Sequence, residues 1–165
     1  MPRPARGLTL LELLVALAIV AVLATLALPS FAGMMARHRL KAAAEQLQMD
    51  LAELRLLAAQ RGQPLHLDVS PGAQWCYALA VASGCDCRVP QGCQLKTVRA
   101  QDHPGVTLLE GGALSVDARG GAALPQRRAA LLQGSQGAQL SVSLTPLGRP
   151  KVCAPGAAVA GYPGC

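Results

Sequence analysis

Two hydrophobic patterns of different period divide the chain. From Leu8 to Leu28 every residue is apolar except Thr9, Glu12 and Thr25. A hydrocarbon core of ~30 Å takes about 20 helical residues at ~1.5 Å each, so this run is long enough to span a bilayer. Pro29-Ser30 punctuates it. Beyond lies a stripe: Leu40, Ala44, Leu47, Leu51, Leu54 and Ala58 recur at steps of three and four, which places them on one face of a helix. Lys41 and Glu45, and Gln46 and Asp50, stand one turn apart on what this stripe predicts to be the water side. Arg61-Gly62 followed by Pro64 is a helix stop. The spacing predicts one long helix from Leu8 to about Gln60, interrupted or bent at Pro29.

After Pro64 the period drops to two. Leu65, Leu67 and Val69 alternate with His66 and Asp68, the mark of a strand with one buried face. Ser70-Pro71-Gly72 is a turn, and Trp75–Val81 a second strand. A cysteine-rich loop runs from Ala82 to Cys93. Leu95–Ala100, Val106–Glu110, Leu114–Ala118, Ala129–Gln133, Leu140–Thr145 and Pro150–Cys153 complete the strand candidates. One long helix followed by short strands predicts an α+β fold, with the exposed half of the helix packed on antiparallel sheet. Trp75 and Tyr77 share a strand face opposite Cys76. They read as core between helix and sheet; base-stacking platforms are the competing reading.

Glu12 is the anomaly of the first pattern. A carboxylate within a membrane helix costs roughly 2.5–3.5 kcal/mol on insertion scales, and no Lys or Arg lies between Leu8 and Met35. A new amino terminus would supply the missing cation. Cut after Gly7, the chain would begin at Leu8, with an ammonium about a turn from Glu12 or from the Glu12 of a neighbouring subunit. Arg3 and Arg6 precede the run, which keeps that end in the cytoplasm and exports the rest. An ordinary signal peptide cut near Ala24 to Ala32 and a plain anchor are the alternatives; neither accounts for Glu12.

The segment Arg6-Gly7-Leu8-Thr9-Leu10-Leu11-Glu12-Leu13, with its apolar run and Pro29, resembles the amino terminus of type IV pilins and type II secretion pseudopilins. The resemblance implies a prepilin peptidase that cuts after Gly7 and methylates Leu8, where Phe is usual. It also implies a pilin fold. The expected divisions are a leader at 1–7, a membrane and assembly helix at 8–29, an amphipathic half-helix at 30–62 and a β-rich head at 63–165.

Composition narrows the head. Its core must be built from Leu, Val and Ala, because Phe31, Trp75, Tyr77 and Tyr162 are all the aromatics. The net charge is +6, and losing Arg3 and Arg6 lowers it by two. A basic exported domain favours anionic partners; arginine-rich coding bias would give the same excess. The six cysteines are Cys76, Cys85, Cys87, Cys93, Cys153 and Cys165. In an exported domain an even count reads as disulfides. Cys153 with Cys165 is the preferred pair, and the other four would pair among themselves. A four-thiolate zinc site competes, but Cys85-x-Cys87 lacks the usual spacing, so no metal or cofactor is expected.

Catalytic signatures are weak. His38, His66 and His103 stand far apart and read as solvated strand or loop residues. No nucleophile elbow, phosphate loop or dinucleotide fingerprint is present in the sequence. The expectation is therefore a protein that is not an enzyme.

Arg61-Gly62-Gln63-Pro64, Trp75-x-Tyr77-x-Leu79-x-Val81 and the stretch from Leu140 through Gly148-Arg149-Pro150-Lys151 to Cys153 together look like FimT/GspH-type minor pilins and pseudopilins. In the FimT branch a Gly-Arg-x-Arg-like element is associated with binding DNA in natural transformation. Here Lys151 stands for its last Arg, which keeps the charge and loses the bidentate fork. The resemblance implies DNA contact through Arg149 and Lys151, with double-stranded DNA as partner; on physical grounds Arg127 and Arg128, read as an adjacent loop, would extend that phosphate-binding patch. By alternation Arg149 and Lys151 project from one strand face, and Pro150 favours a sheet edge. The competing reading makes Arg149 a guard against edge pairing. The expectation is a minor pilin of a type IV pilus, its head in the periplasm, its partners the inner membrane, prepilin peptidase and other pilin subunits. The alternative is a GspH-type pseudopilin of a type II secretion system.

Overall fold

The computed structural model describes residues 9–90, 92–119, 127–145 and 147–165, and of residues 26–29 and of Arg127 the backbone alone. The proposed leader, Gly7 and Leu8 lie outside these, as does Pro146. The chain forms two compact units, Met1–Met35 and Ala36–Cys165.

Helix α1, Leu10–Arg61, begins in the first unit. Thr9 caps it: its hydroxyl accepts from the Glu12 amide at 3.2 Å and its carbonyl accepts from the Leu13 amide at 3.1 Å. The large apolar side chains described between Leu10 and Leu23 are all exposed. By length and composition the segment can cross a membrane. The interruption expected at Pro29 is absent, since α1 is assigned through it. A proline removes one amide donor, and the helical bonds on either side persist.

In the second unit the stripe is buried as its spacing predicts. Leu40, Ala44, Leu47, Leu51, Leu54 and Ala58 are at most 1% exposed. The helix stops where Gly62 takes a φ of 64°, the left-handed cap that glycine adopts without strain. Among the described residues eight strands follow, in two antiparallel sheets of four. The first has the order β3-β2-β1-β5, with β1 at Leu65–Ser70, β2 at Cys76–Ala80, β3 at Gln94–Arg99 and β5 at Leu114–Val116. The second has the order β4-β6-β7-β8, with β4 at Val106–Gly111, β6 at Arg127–Gly134, β7 at Gln139–Leu144 and β8 at Pro150–Cys153. After the β1 turn, the Gly72 amide donates to the Leu108 carbonyl at 3.0 Å and ties the first sheet to the second.

One core joins the helical stripe to the inner faces of both sheets. It takes Leu65 and Leu67 from β1, Tyr77 and Leu79 from β2, Leu132 from β6, and Leu140, Val142 and Leu144 from β7. Trp75 and Tyr77 lie in it, their rings 6.3 Å apart. Cys76 and Ala78, on the other face of β2, form a smaller cluster with Cys87. The cysteine-rich loop covers that face, so every residue of β2 is buried. Asp68 holds the loop down by accepting from the Gly84 and Cys85 amides at 3.3 and 3.1 Å.

Disulfides join Cys76 to Cys87, Cys85 to Cys93 and Cys153 to Cys165. No thiolate is left for the alternative zinc site, because none of the six is free.

Candidate assembly and nucleic-acid surfaces

Glu12 lies in the first turn of α1, three residues from the Thr9 cap. A carboxylate there faces the positive end of the helix dipole, worth typically 0.3–1 kcal/mol at an exposed site. That offsets a fraction of the insertion cost.

The basic element near the carboxy terminus is a tight hairpin turn. The Gly148 amide donates to the Thr145 carbonyl at 2.8 Å, and the Thr145 amide donates to the Arg149 carbonyl at 2.9 Å. The Thr145 hydroxyl accepts from the Arg149 amide at 3.0 Å. Gly148, with a φ of 70°, supplies the backbone turn that residues with a side chain resist. Arg149 therefore sits in the turn and not on the strand, because β8 begins at Pro150. Arg149 and Lys151 are both exposed, and β8 is an edge of its sheet, where Pro150 is tolerated.

Arg127 and Arg128 do not lie in a loop; they open β6, opposite Leu144 and Ser143 of β7. The run before them gives no periodic cue, and the strand extends two residues beyond its apolar part. Through Ser143, Arg128 shares a cross-strand row with Lys151, so the two occupy the same sheet face. Arg128 is already paired with Glu110 at 2.7 Å. A nearer cation, not singled out by sequence, is Arg55 of α1, whose guanidinium donates to the Leu147 carbonyl at 3.4 Å.

The profile of a family described as Type II transport protein GspH matches residues 43–148. The chain belongs to the GspH family. A Prokaryotic N-terminal methylation motif matches residues 2–28. Among solved structures, the type IV minor pilin FimU of Pseudomonas aeruginosa PAO1 is similar in fold. The TM-score is 0.53 at 17% identity, over 68% of this chain and 91% of that one. No curated protein matches significantly. The chain is thus a minor pilin or pseudopilin, of a type IV pilus or a type II secretion system. Pilins and pseudopilins are structural proteins that assemble with other pilin subunits, and the processing motif accompanies that role.

In this GspH-family head the helix is also held by polar bonds that sequence spacing concealed. Asp50, expected on the water side, is 2% exposed. It accepts from the Tyr77 hydroxyl at 2.8 Å and from Lys96 Nζ at 2.6 Å. β3 reaches round the helix there, and a period-3.6 pattern carries no sign of a long-range neighbour. His103, expected to be solvated, is buried against the Trp75 ring, with Nε2 3.0 Å from Gln46 Oε1. Burial lowers its pKa against the opposing pull of Asp102 and Asp50. Lys41 and Glu45 bind the carboxy-terminal tail: Lys41 donates to the Ala160 carbonyl at 2.6 Å, and the Tyr162 hydroxyl donates to Glu45. Burial and Glu45 push the Tyr162 phenol up to about 12.

Burial first, then the charge of Asp50, raise the Tyr77 pKa above its ordinary 10.0. The hydrogen bond to Asp50 raises that of Lys96. The native head keeps both protons to higher pH than the unfolded chain, so stability falls as pH climbs past about 10. We expect the melting temperature to drop steeply across this range in a pH series. Tyr77→Phe should flatten the slope while lowering stability at neutral pH by roughly 1 kcal/mol through the lost hydrogen bond.

Proposed function

We propose that this protein is a minor pilin of a type IV pilus whose head touches DNA. Prepilin peptidase cuts after Gly7, and Leu8 becomes the methylated terminus. Residues 8–29 hold the protein in the inner membrane with its head in the periplasm, then pack among other pilin helices. Residues 30–62 join that segment to the head at 63–165, which the filament carries outward. Burial of Leu, Val and Ala surface drives assembly, and each Glu12 meets an ammonium.

The observation that carries the DNA reading is the Thr145–Arg149 turn, which offers Arg149 and Lys151 together at a sheet edge beside Arg55. Arg128, exchanging Glu110 for a phosphate, lengthens the basic track along the row it shares with Lys151. Two to four phosphate contacts give weak, sequence-independent binding that falls steeply with salt. In a gel-shift assay with the detergent-solubilised chain, duplex DNA should be retarded at low salt and released as salt rises. Arg149→Ala with Lys151→Ala should abolish the shift and leave the melting temperature unchanged. A wild-type chain that retains no DNA even at low salt ends this reading.

The second reading, a GspH-type pseudopilin of a type II secretion system, is favoured by the family match over residues 43–148. Co-purification with sheared surface fibres supports the first reading, and co-purification with an outer-membrane secretion channel supports the second.

A further inference from the structure

A cleft of about 530 Å³ opens where the end of β3 meets the start of β2. It belongs to the β3 edge of the first sheet, whereas the Thr145–Arg149 turn adjoins the β8 edge of the second. Arg88 and Arg99 line it with Gln74 and Gln101, and among the described residues no acidic side chain does. Trp75, 1% exposed, also lines it, and its indole N–H is committed to the Val106 carbonyl at 2.8 Å.

One residue fixes both arginines. Cys76 is the cross-strand partner of Arg99 and is bonded to Cys87, the neighbour of Arg88. The acids nearest in sequence are occupied with backbone: Asp86 accepts the Arg88 amide at 2.9 Å, and Asp102 accepts the Arg99 amide at 2.8 Å. Among the described residues neither guanidinium has an ion-pair partner.

Two unpaired guanidinium groups in an acid-free cleft attract an anion. One carboxylate is satisfied by one fork, whereas a phosphate has oxygens enough for two. We propose that this cleft binds a phosphate group between Arg88 and Arg99, as inorganic phosphate or as the headgroup of an anionic phospholipid. The cleft is independent of DNA contact at Arg149 and Lys151.

Trp75 is the only tryptophan of the chain, so its fluorescence reports from the wall of the cleft. Inorganic phosphate titrated into the full chain in neutral detergent, at constant ionic strength, should change Trp75 emission saturably. Arg88→Gln and Arg99→Gln should each weaken the response by about tenfold. Arg149→Ala with Lys151→Ala should leave it intact. In a second arm the chain is reconstituted in phosphatidylglycerol or phosphatidylcholine vesicles. A response to inorganic phosphate identifies a free anion; an arginine-dependent difference between the lipids identifies a headgroup. Absence of both responses overturns the proposal, and so does a response that survives the double Gln variant. Should the Gln variants fail to fold, Arg88→Lys with Arg99→Lys keeps the charge and loses the forks. Unchanged affinity in that pair overturns the proposal equally.

Discussion

Replacing Glu12 with alanine should leave the protein in the membrane and exclude it from filaments. The apolar run loses nothing it needs for insertion; on insertion scales it gains roughly 2.5–3.5 kcal/mol from the missing carboxylate. What disappears is the proposed partner for the ammonium left by cleavage after Gly7. That ammonium would then be stranded in lipid at each point where helices pack. An uncompensated charge of this kind costs several kcal/mol, and ~1.4 kcal/mol is already a tenfold change in occupancy. Fractionating membranes and sheared filaments from cells carrying each version gives the result. Equal incorporation of the alanine variant would refute the pairing.

The second large effect is in the core. Leu51→Ala should destabilise the head by about 3 kcal/mol, within the range for fully buried leucines. Leu51 is 0% exposed at the middle of the stripe, within the core that joins the helix to both sheets. Leu56, on the same helix, is 58% exposed, and Leu56→Ala should stay within about 0.5 kcal/mol. Chemical denaturation of both variants measures the contrast. Similar losses would mean that the stripe is not the seam between helix and sheets.

The stripe was legible because burial on one helix face imposes a period that local spacing records. Alternation in β1 and the shared face of Trp75 and Tyr77 were legible for the same reason. The division of eight strands between two sheets was not, since strand order depends on pairings distant in sequence, such as β1 with β5. Asp50 was misplaced because its partners, Tyr77 and Lys96, come from strands 27 and 46 residues away. Among the candidate site residues, the turn at Gly148 carried a local signal, a glycine beside paired cations. The cleft between Arg88 and Arg99 carried none, because a disulfide and a cross-strand register bring the two together.

The two bridges of the cysteine-rich loop interlock: Cys85 lies inside the ring closed by Cys76 and Cys87, yet its mate, Cys93, lies outside. A chain emerging amino terminus first presents Cys76, Cys85 and Cys87 before Cys93. Oxidation in order of arrival would therefore capture Cys76 with Cys85, a bond absent from the finished head. Along that route the native pairing is reached only by thiol exchange after Cys93 appears, whereas oxidation after all four thiols are present needs none.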